Sequence, residues 1–298
     1  MLPNFLICGA PKGGTSSLHV WIADHPDALG SVEKETYYCV DPGTHMYRPT
    51  ANITGGLEGY GECFRLIQGA KPKVIFESTP AYIYYDTAIQ HVPELPTKPK
   101  CLFVLREPAQ QIYSLFTYFQ TNWSWIPSEM SFCEYLSLLR SDSSEDCLFN
   151  GNELALNALS NARYVDFLLQ WRARLGTERI MVQSFDCLKR DPKKFTKQVA
   201  SWLGLDSSFY DTYHFPSNNE TYAVRHNGLQ RINVAMRSLV PQGAMYRSLK
   251  KLYRNLNTVK PIGPDIQTQE LIRELALEYR ASNERLRHEF GLDLADWA

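Results

Sequence analysis

Residues 5 to 18 read Phe-Leu-Ile-Cys-Gly-Ala-Pro-Lys-Gly-Gly-Thr-Ser-Ser-Leu, and this stretch restricts the fold more than any other. A short apolar run predicts a buried strand. A glycine-rich turn with one lysine follows, and hydroxyl residues then open a helix. That order also builds an anion site. Glycines let backbone N–H groups approach a phosphate, the helix N-terminus supplies partial positive charge, and Lys12 supplies a full one. A tight turn alone would need neither the lysine nor the hydroxyls.

The loop departs from the nucleoside-triphosphate pattern, which is Gly, four residues, then Gly-Lys-Ser/Thr. Gly9 and Gly14 keep that separation, but Thr15 stands where the lysine belongs. Lys12 lies inside the turn, beside a 5′-phosphate and whatever is bonded to it. No convincing apolar strand ends in an Asp that would hold magnesium. Val74-Ile75-Phe76 leads into Glu77-Ser78-Thr79-Pro80, and the run from Cys101 to Leu105 ends in Arg106. A magnesium-dependent nucleotide kinase is therefore disfavoured.

A second segment reads Leu102-Phe103-Val104-Leu105-Arg106-Glu107-Pro108. Pro108 suits the first turn of a helix, where its missing N–H costs nothing. Ile112, Leu115, Phe116 and Phe119 then form one apolar face, and Ser114 lies off it. Arg106 at a strand end and Ser114 two turns into the helix can converge on one oxyanion, for which the planar guanidinium is suited. Ligands of open parallel sheets bind at the carboxyl ends of strands, where both segments sit. Two phosphate sites on adjacent strands suggest a nucleotide phosphorylated at both ends of its ribose.

In these residues the chain resembles sulfotransferases that use 3′-phosphoadenosine 5′-phosphosulfate (PAPS). Pro11-Lys12-Gly13-Gly14-Thr15-Ser16-Ser17-Leu18 is similar to the family's 5′-phosphosulfate loop, and Arg106 through Ser114 to its 3′-phosphate motif. Lys34-Glu35-Thr36-Tyr37-Tyr38, Glu77-Ser78-Thr79-Pro80-Ala81-Tyr82, Arg163-Tyr164 through Trp171 and Leu188-Lys189-Arg190-Asp191-Pro192 resemble the heparan-sulfate-type branch and its bacterial relatives. The likeness runs in order along nearly the whole chain. Two departures stand out: Gly59-Tyr60 where Trp-Tyr is usual, and Ser78 where the branch often has Lys. The late nucleotide-gripping loop has Arg225-His226-Asn227-Gly228 as its nearest counterpart.

The resemblance implies an α/β fold, a three-layer P-loop-like parallel sheet flanked by helices. It implies PAPS as sulfuryl donor with no metal. Gly13, Gly14, Thr15, Ser16 and Ser17 would hold the 5′-phosphate, and Arg106 and Ser114 the 3′-phosphate. Arg225 and Gly228 would close on the nucleotide, and Tyr164 reads equally as a nucleotide contact and as a core residue. Glu35 aligns with the glutamate proposed as base in the heparan-type branch; without that alignment, a Glu beside Lys34 reads as a solvated ion pair. Lys12 would stabilise the leaving phosphate oxygen.

Composition fits these expectations. At 298 residues, with no Pro/Gly/Ser linker or repeat, residues 1–298 are expected to form one domain. Hydrophobic residues at 44% suffice for a large core, and a net charge of −1 argues against nucleic acid as partner. Seven scattered cysteines without Cys-x-x-Cys favour a reducing compartment. No signal or spanning segment is read, so a cytoplasmic enzyme is expected, with an excised catalytic domain as the alternative.

Strands are expected at 4–8, 73–77, 101–105 and 179–184. Helices are expected at 15–24, 108–120, 156–175, 192–203 and 267–290. The stretches 41–62, 121–152 and 206–262 read as irregular lids or walls. Tyr37, Tyr38, Tyr82, Tyr84, Tyr85, Tyr118, Trp123 and Trp125 fall near the expected site, and of these Tyr37, Tyr82 and Trp123 are taken as acceptor contacts. Aromatic walls with Glu77, Asp86 and Glu94 nearby suit a small-molecule acceptor, such as a secondary metabolite or alkaloid, better than a sulfated polysaccharide. A glycan acceptor remains the alternative.

Overall fold

The computed structural model describes residues 1–65, 71–141, 148–216, 223–224, 258–259 and 263–297. Strand β1 (Phe5–Gly9) leads through the glycine loop into helix α1 (Thr15–Ala23), then β2 (Ala28–Gly30), β3 (Val74–Glu77) and β4 (Lys100–Leu105). Helices α2 (Pro108–Tyr118), α3 (Phe132–Arg140) and α4 (Tyr164–Leu175) precede β5 (Ile180–Ser184), α5 (Pro192–Leu203), α6 (Ile266–Glu278) and α7 (Arg280–Phe290). The five strands pair in parallel in the order β2-β3-β1-β4-β5. Ala223–Val224 and Thr258–Val259 form a separate antiparallel pair.

The chain fills one side of β1 with β2 and β3, then crosses to the other side for β4. The direction of winding thus reverses between β1 and β4, where open α/β sheets place their ligand crevice. The central strands β1 and β4 are buried on both faces. Phe5, Ile7, Leu102 and Val104 pack toward one face with Leu18, Phe195 and Val199 of α1 and α5. Leu6, Cys8, Phe103 and Leu105 pack toward the other with Leu168 and Trp171 of α4. This period of two, with helices covering both faces, is the expected three-layer α/β sheet. A further apolar cluster joins Ile112, Leu115, Phe116 and Phe119 to Phe132 and Tyr135 of α3 and Ile272 and Leu275 of α6.

Local chemistry explains the helix ends. Pro108 opens α2, and the Glu107 carboxylate accepts from the N–H groups of Ala109 and Gln110. Asp191 accepts from Lys194 N–H ahead of α5, and Gly204 ends that helix in the left-handed region at φ 76°. Three expectations are corrected. Residues 121–152 contain α3, whose Ser131–Glu134 capping box satisfies its first turn. The stretch 156–175 is two short helices and then α4, because Asn157 and Arg163 leave the helical region between them. The helix over 267–290 breaks at Tyr279, whose hydroxyl is drawn to the Leu159 carbonyl at 2.7 Å. Strand β2 is three residues long, too short to show alternation.

Candidate active site

The glycine loop is fixed by close packing. A Cβ on Gly13 would lie 2.1 Å from the Val104 carbonyl oxygen, and one on Gly14 would lie 2.7 Å from the Phe185 ring. Gly14 also has φ +81°, a left-handed value that favours glycine. The loop is tied down by Ala10 N–H to Val104 O at 2.8 Å and Gly13 N–H to Ala10 O at 3.0 Å. Helix α1 starts at Thr15 with no side chain capping its first amides. Such an N-terminus favours an anion.

Lys12 extends from this loop with its Nζ 4.4 Å from the centre of the Tyr118 ring. Burial, reinforced by the neighbouring Arg106 charge, lowers its ammonium to a pKa of about 8, against the pull of Glu35. Arg106 leaves the end of β4 and lies over the Phe185 ring at 5.7 Å. Burial lowers its pKa as well, although Tyr164 and Asp186 favour its charge. Neither Lys12 nor Arg106 makes an ion pair with a described carboxylate. Ser114 is buried on α2, two turns after Arg106. Tyr164 is buried with its hydroxyl unpartnered, close enough to Arg106 to feel its charge.

Glu35 faces Lys12 from the loop before β3. Lys34 Nζ donates to its Oε1 at 2.7 Å, and the Tyr37 hydroxyl donates to Oε2. Burial alone would raise its carboxyl. Lys34, Tyr37 and Lys12 outweigh that and hold it below the usual glutamate value. Its side chain stays 34% exposed although protein surrounds it, which places it on the wall of an open cleft. Thr36, between these two residues, turns the other way and donates to Glu77 Oε2 at 2.8 Å.

The remaining predicted residues divide. Tyr37 binds Glu35, and Trp123 is half-buried and stacked on Trp125 at 4.7 Å. Tyr82 does not line the cleft: it is fully buried, and its hydroxyl donates to Glu77 Oε1 at 3.0 Å. Its place in the core below the sheet's end removes it as an acceptor contact. Thr15 is buried, and Ser16 and Ser17 are half-buried in the first turn of α1. Arg225 and Gly228 lie outside the described residues. Two residues absent from the sequence reading also converge here. His45 Nδ1 lies 2.8 Å from Glu153 Oε2, and the Tyr85 hydroxyl donates to Glu153 Oε1 at 2.5 Å. They are 108 residues apart, so no local spacing could have linked them. Among the described residues, no group of three His, Cys, Asp or Glu could hold a metal, and no helix is long and apolar enough to cross a membrane.

The sulfotransferase domain family matches residues 2–240, and the chain belongs to that family of sulfate-transferring enzymes. Among curated proteins it is similar to the bifunctional heparan sulfate N-deacetylase/N-sulfotransferase 1 of Caenorhabditis briggsae, 26% identical over 220 residues, covering 71% of this chain and 24% of that protein. The human protein of the same name is 23% identical over 213 residues, covering 71% and 23% respectively. The chain thus spans about a quarter of the length of the curated relatives it matches. A solved sulfotransferase from Alicyclobacillus acidocaldarius superposes with a TM-score of 0.66 at 19% identity, covering 100% of this chain and 99% of that one. That likeness shows the shared fold.

Proposed function

We propose that the chain transfers a sulfuryl group from PAPS to a hydroxyl or amine of a small acceptor. One observation carries the donor half of this reading. Lys12 and Arg106 are desolvated, unpaired with any described carboxylate, and set at the ends of the two strands that flank the crevice. Buried cations without counter-ions are costly, and a ligand with two separated anionic groups offsets that cost. The uncapped start of α1 and Gly13 to Ser17 suit the 5′-phosphosulfate. Arg106 and Ser114 suit the 3′-phosphate.

In this reading the acceptor oxygen or nitrogen attacks sulfur in line with the sulfur–oxygen bond to the 5′-phosphate. Glu35, ionised at neutral pH, takes the acceptor's proton. The bond to phosphate breaks, its electron pair stays on the phosphate oxygen, and Lys12 neutralises the charge that develops there. The products are the sulfated acceptor and adenosine 3′,5′-bisphosphate.

A glycan acceptor is the second reading, favoured by the heparan sulfate named in the relatives at 20–26% identity. Against it, Lys34 is already committed to Glu35, which leaves it less able to bind a polyanionic chain. Incubation with PAPS, EDTA and a panel of metabolites and heparan oligosaccharides, read by mass spectrometry, tests the proposal. A sulfo adduct on a small molecule is expected. Adducts on oligosaccharides alone would reverse the acceptor choice, and a requirement for magnesium would favour a nucleotide kinase.

A further inference from the structure

Beyond the reacting atoms, we propose that His45, Glu153 and Tyr85 form a distal acceptor subsite, which binds a hydroxyl group on an uncharged, ring-bearing acceptor. This rests on the donor and base roles proposed above. A continuous path of contacts links Lys12 to this cluster. Lys12 lies over Tyr118, Tyr118 contacts Phe119 at 5.6 Å, and Phe119 stacks on Trp125 at 5.5 Å. Trp125 meets the His45 ring edge-on at 5.3 Å. The return path runs from His45 to Glu153, to Tyr85, and to Tyr37, whose hydroxyl feels Tyr85 and Tyr118 and binds Glu35. These contacts connect the cluster both to Lys12 and to Glu35.

The chemistry of the cluster selects the ligand. The Glu153 carboxylate takes His45 Nδ1, the His45 backbone N–H at 3.3 Å and the Tyr85 hydroxyl. An ionised carboxylate only accepts, so Nδ1 carries a proton, and Nε2 is the ring nitrogen turned away from Glu153. Nε2 has no partner among the described residues, and His45 retains 15% exposure. A hydroxyl, which both donates and accepts, is suited to pair with Nε2. Glu153 spends its charge on three internal donors, which leaves little to attract an ammonium. The stacked Trp123–Trp125 pair supplies a flat apolar wall for a ring. The arrangement is held in place: the Asp41 carboxylate accepts from Thr87 N–H at 2.7 Å, and its carbonyl accepts from the Thr44 hydroxyl at 2.8 Å. These bonds tie the His45 loop to the helix that follows Tyr85.

Three probes test the subsite: 2,6-dihydroxynaphthalene, 6-methoxy-2-naphthol and 6-hydroxy-2-naphthoate. Each offers one hydroxyl for sulfation and a hydroxyl, ether or carboxylate at the far end. Release of adenosine 3′,5′-bisphosphate from PAPS gives kcat/KM, and calorimetry gives the affinity for that nucleotide. The native protein should prefer the diol over the ether by roughly tenfold, well above the twofold expected from its two equivalent hydroxyls. His45→Phe should bring that ratio to about two while nucleotide affinity stays put. His45→Ala repeats the test should the Phe variant not fold. An unchanged ratio in both variants, a preference for the carboxylate, or no turnover of any probe by a nucleotide-binding protein would overturn the subsite. Failure to bind the nucleotide at all would instead overturn the donor reading beneath it.

Discussion

Two glutamates separated by about 40 residues of chain meet opposite environments, and Thr36 joins them. Glu77 ends β3, fully buried, and takes hydroxyl donors from Tyr60, Tyr82, Thr36 and Thr79. Burial raises its carboxyl above the usual value despite those four bonds. Glu35 lies in the cleft with Lys34, Tyr37 and Lys12 around it, and its carboxyl falls below that value. Hydroxyl donors without a cation make an anchor that holds the loop carrying Glu35. Cations at an open cleft make an ionised group available to a substrate. The contrast is the familiar separation of carboxylate roles by environment.

The sharpest way to break this comparison is to neutralise each glutamate in turn. Glu35→Gln should lower kcat by about 10²–10⁴-fold, the usual loss of a positioned base. Nucleotide affinity should hardly move. Full activity in this variant would end the base assignment. Arg106→Ala leaves both glutamates in place and removes one charged phosphate contact. Affinity for adenosine 3′,5′-bisphosphate should fall about 10- to 100-fold by calorimetry; an unchanged affinity would end the two-phosphate reading.

Glu77→Gln should show the reverse pattern. The amide nitrogen cannot accept from two of the four hydroxyls, so urea unfolding should report a loss on the order of 2 kcal/mol. Activity should follow the folded fraction. The pH dependence of stability separates the two further. Glu77, with its folded pKa raised, stabilises fully below the usual glutamate pKa and loses that contribution as pH rises through its folded value. Glu35, with its folded pKa lowered, stabilises above the usual value and loses that contribution as pH falls through its own. Each Gln variant should remove its own segment of the wild-type curve.

The smallest effects concern the activity profile. The rising limb of kcat/KM should lie below the usual glutamate range, and the falling limb near pH 8, where Lys12 loses its proton. Tyr37→Phe removes a donor to Glu35 and should move the rising limb upward without shifting the falling one. No movement would show that Tyr37 does not tune the base.

The placement of the glycine loop and of Arg106 was legible in the sequence because it depends on short-range order. The strand, the glycine loop and Lys12 are contiguous, and Arg106-Glu107-Pro108 announces both a strand end and a helix start. Ser131 and Glu134 also carried a readable capping signal, yet the polar residues around them masked α3. The acceptor side was less legible because its contacts are distant in sequence. Tyr82 reads as a wall residue by its neighbours, but the short helical turn Pro80–Tyr84 after β3 brings its hydroxyl back to Glu77. His45 and Glu153 come together only when the loop before β3 folds against the segment before α4.

The glycine loop has a consequence for the nucleotide itself. The Gly13 backbone rests against the Val104 carbonyl so closely that a methyl group has no room. Val104 stands two residues before Arg106. The distance between Lys12 and Arg106, the residues proposed to meet the two ends of the donor, is thus set by main chain against main chain. The crevice works as a fixed calliper. In the proposed donor site it would measure where the second phosphate sits on the ribose, and exchanging either side chain would leave the jaws at the same opening.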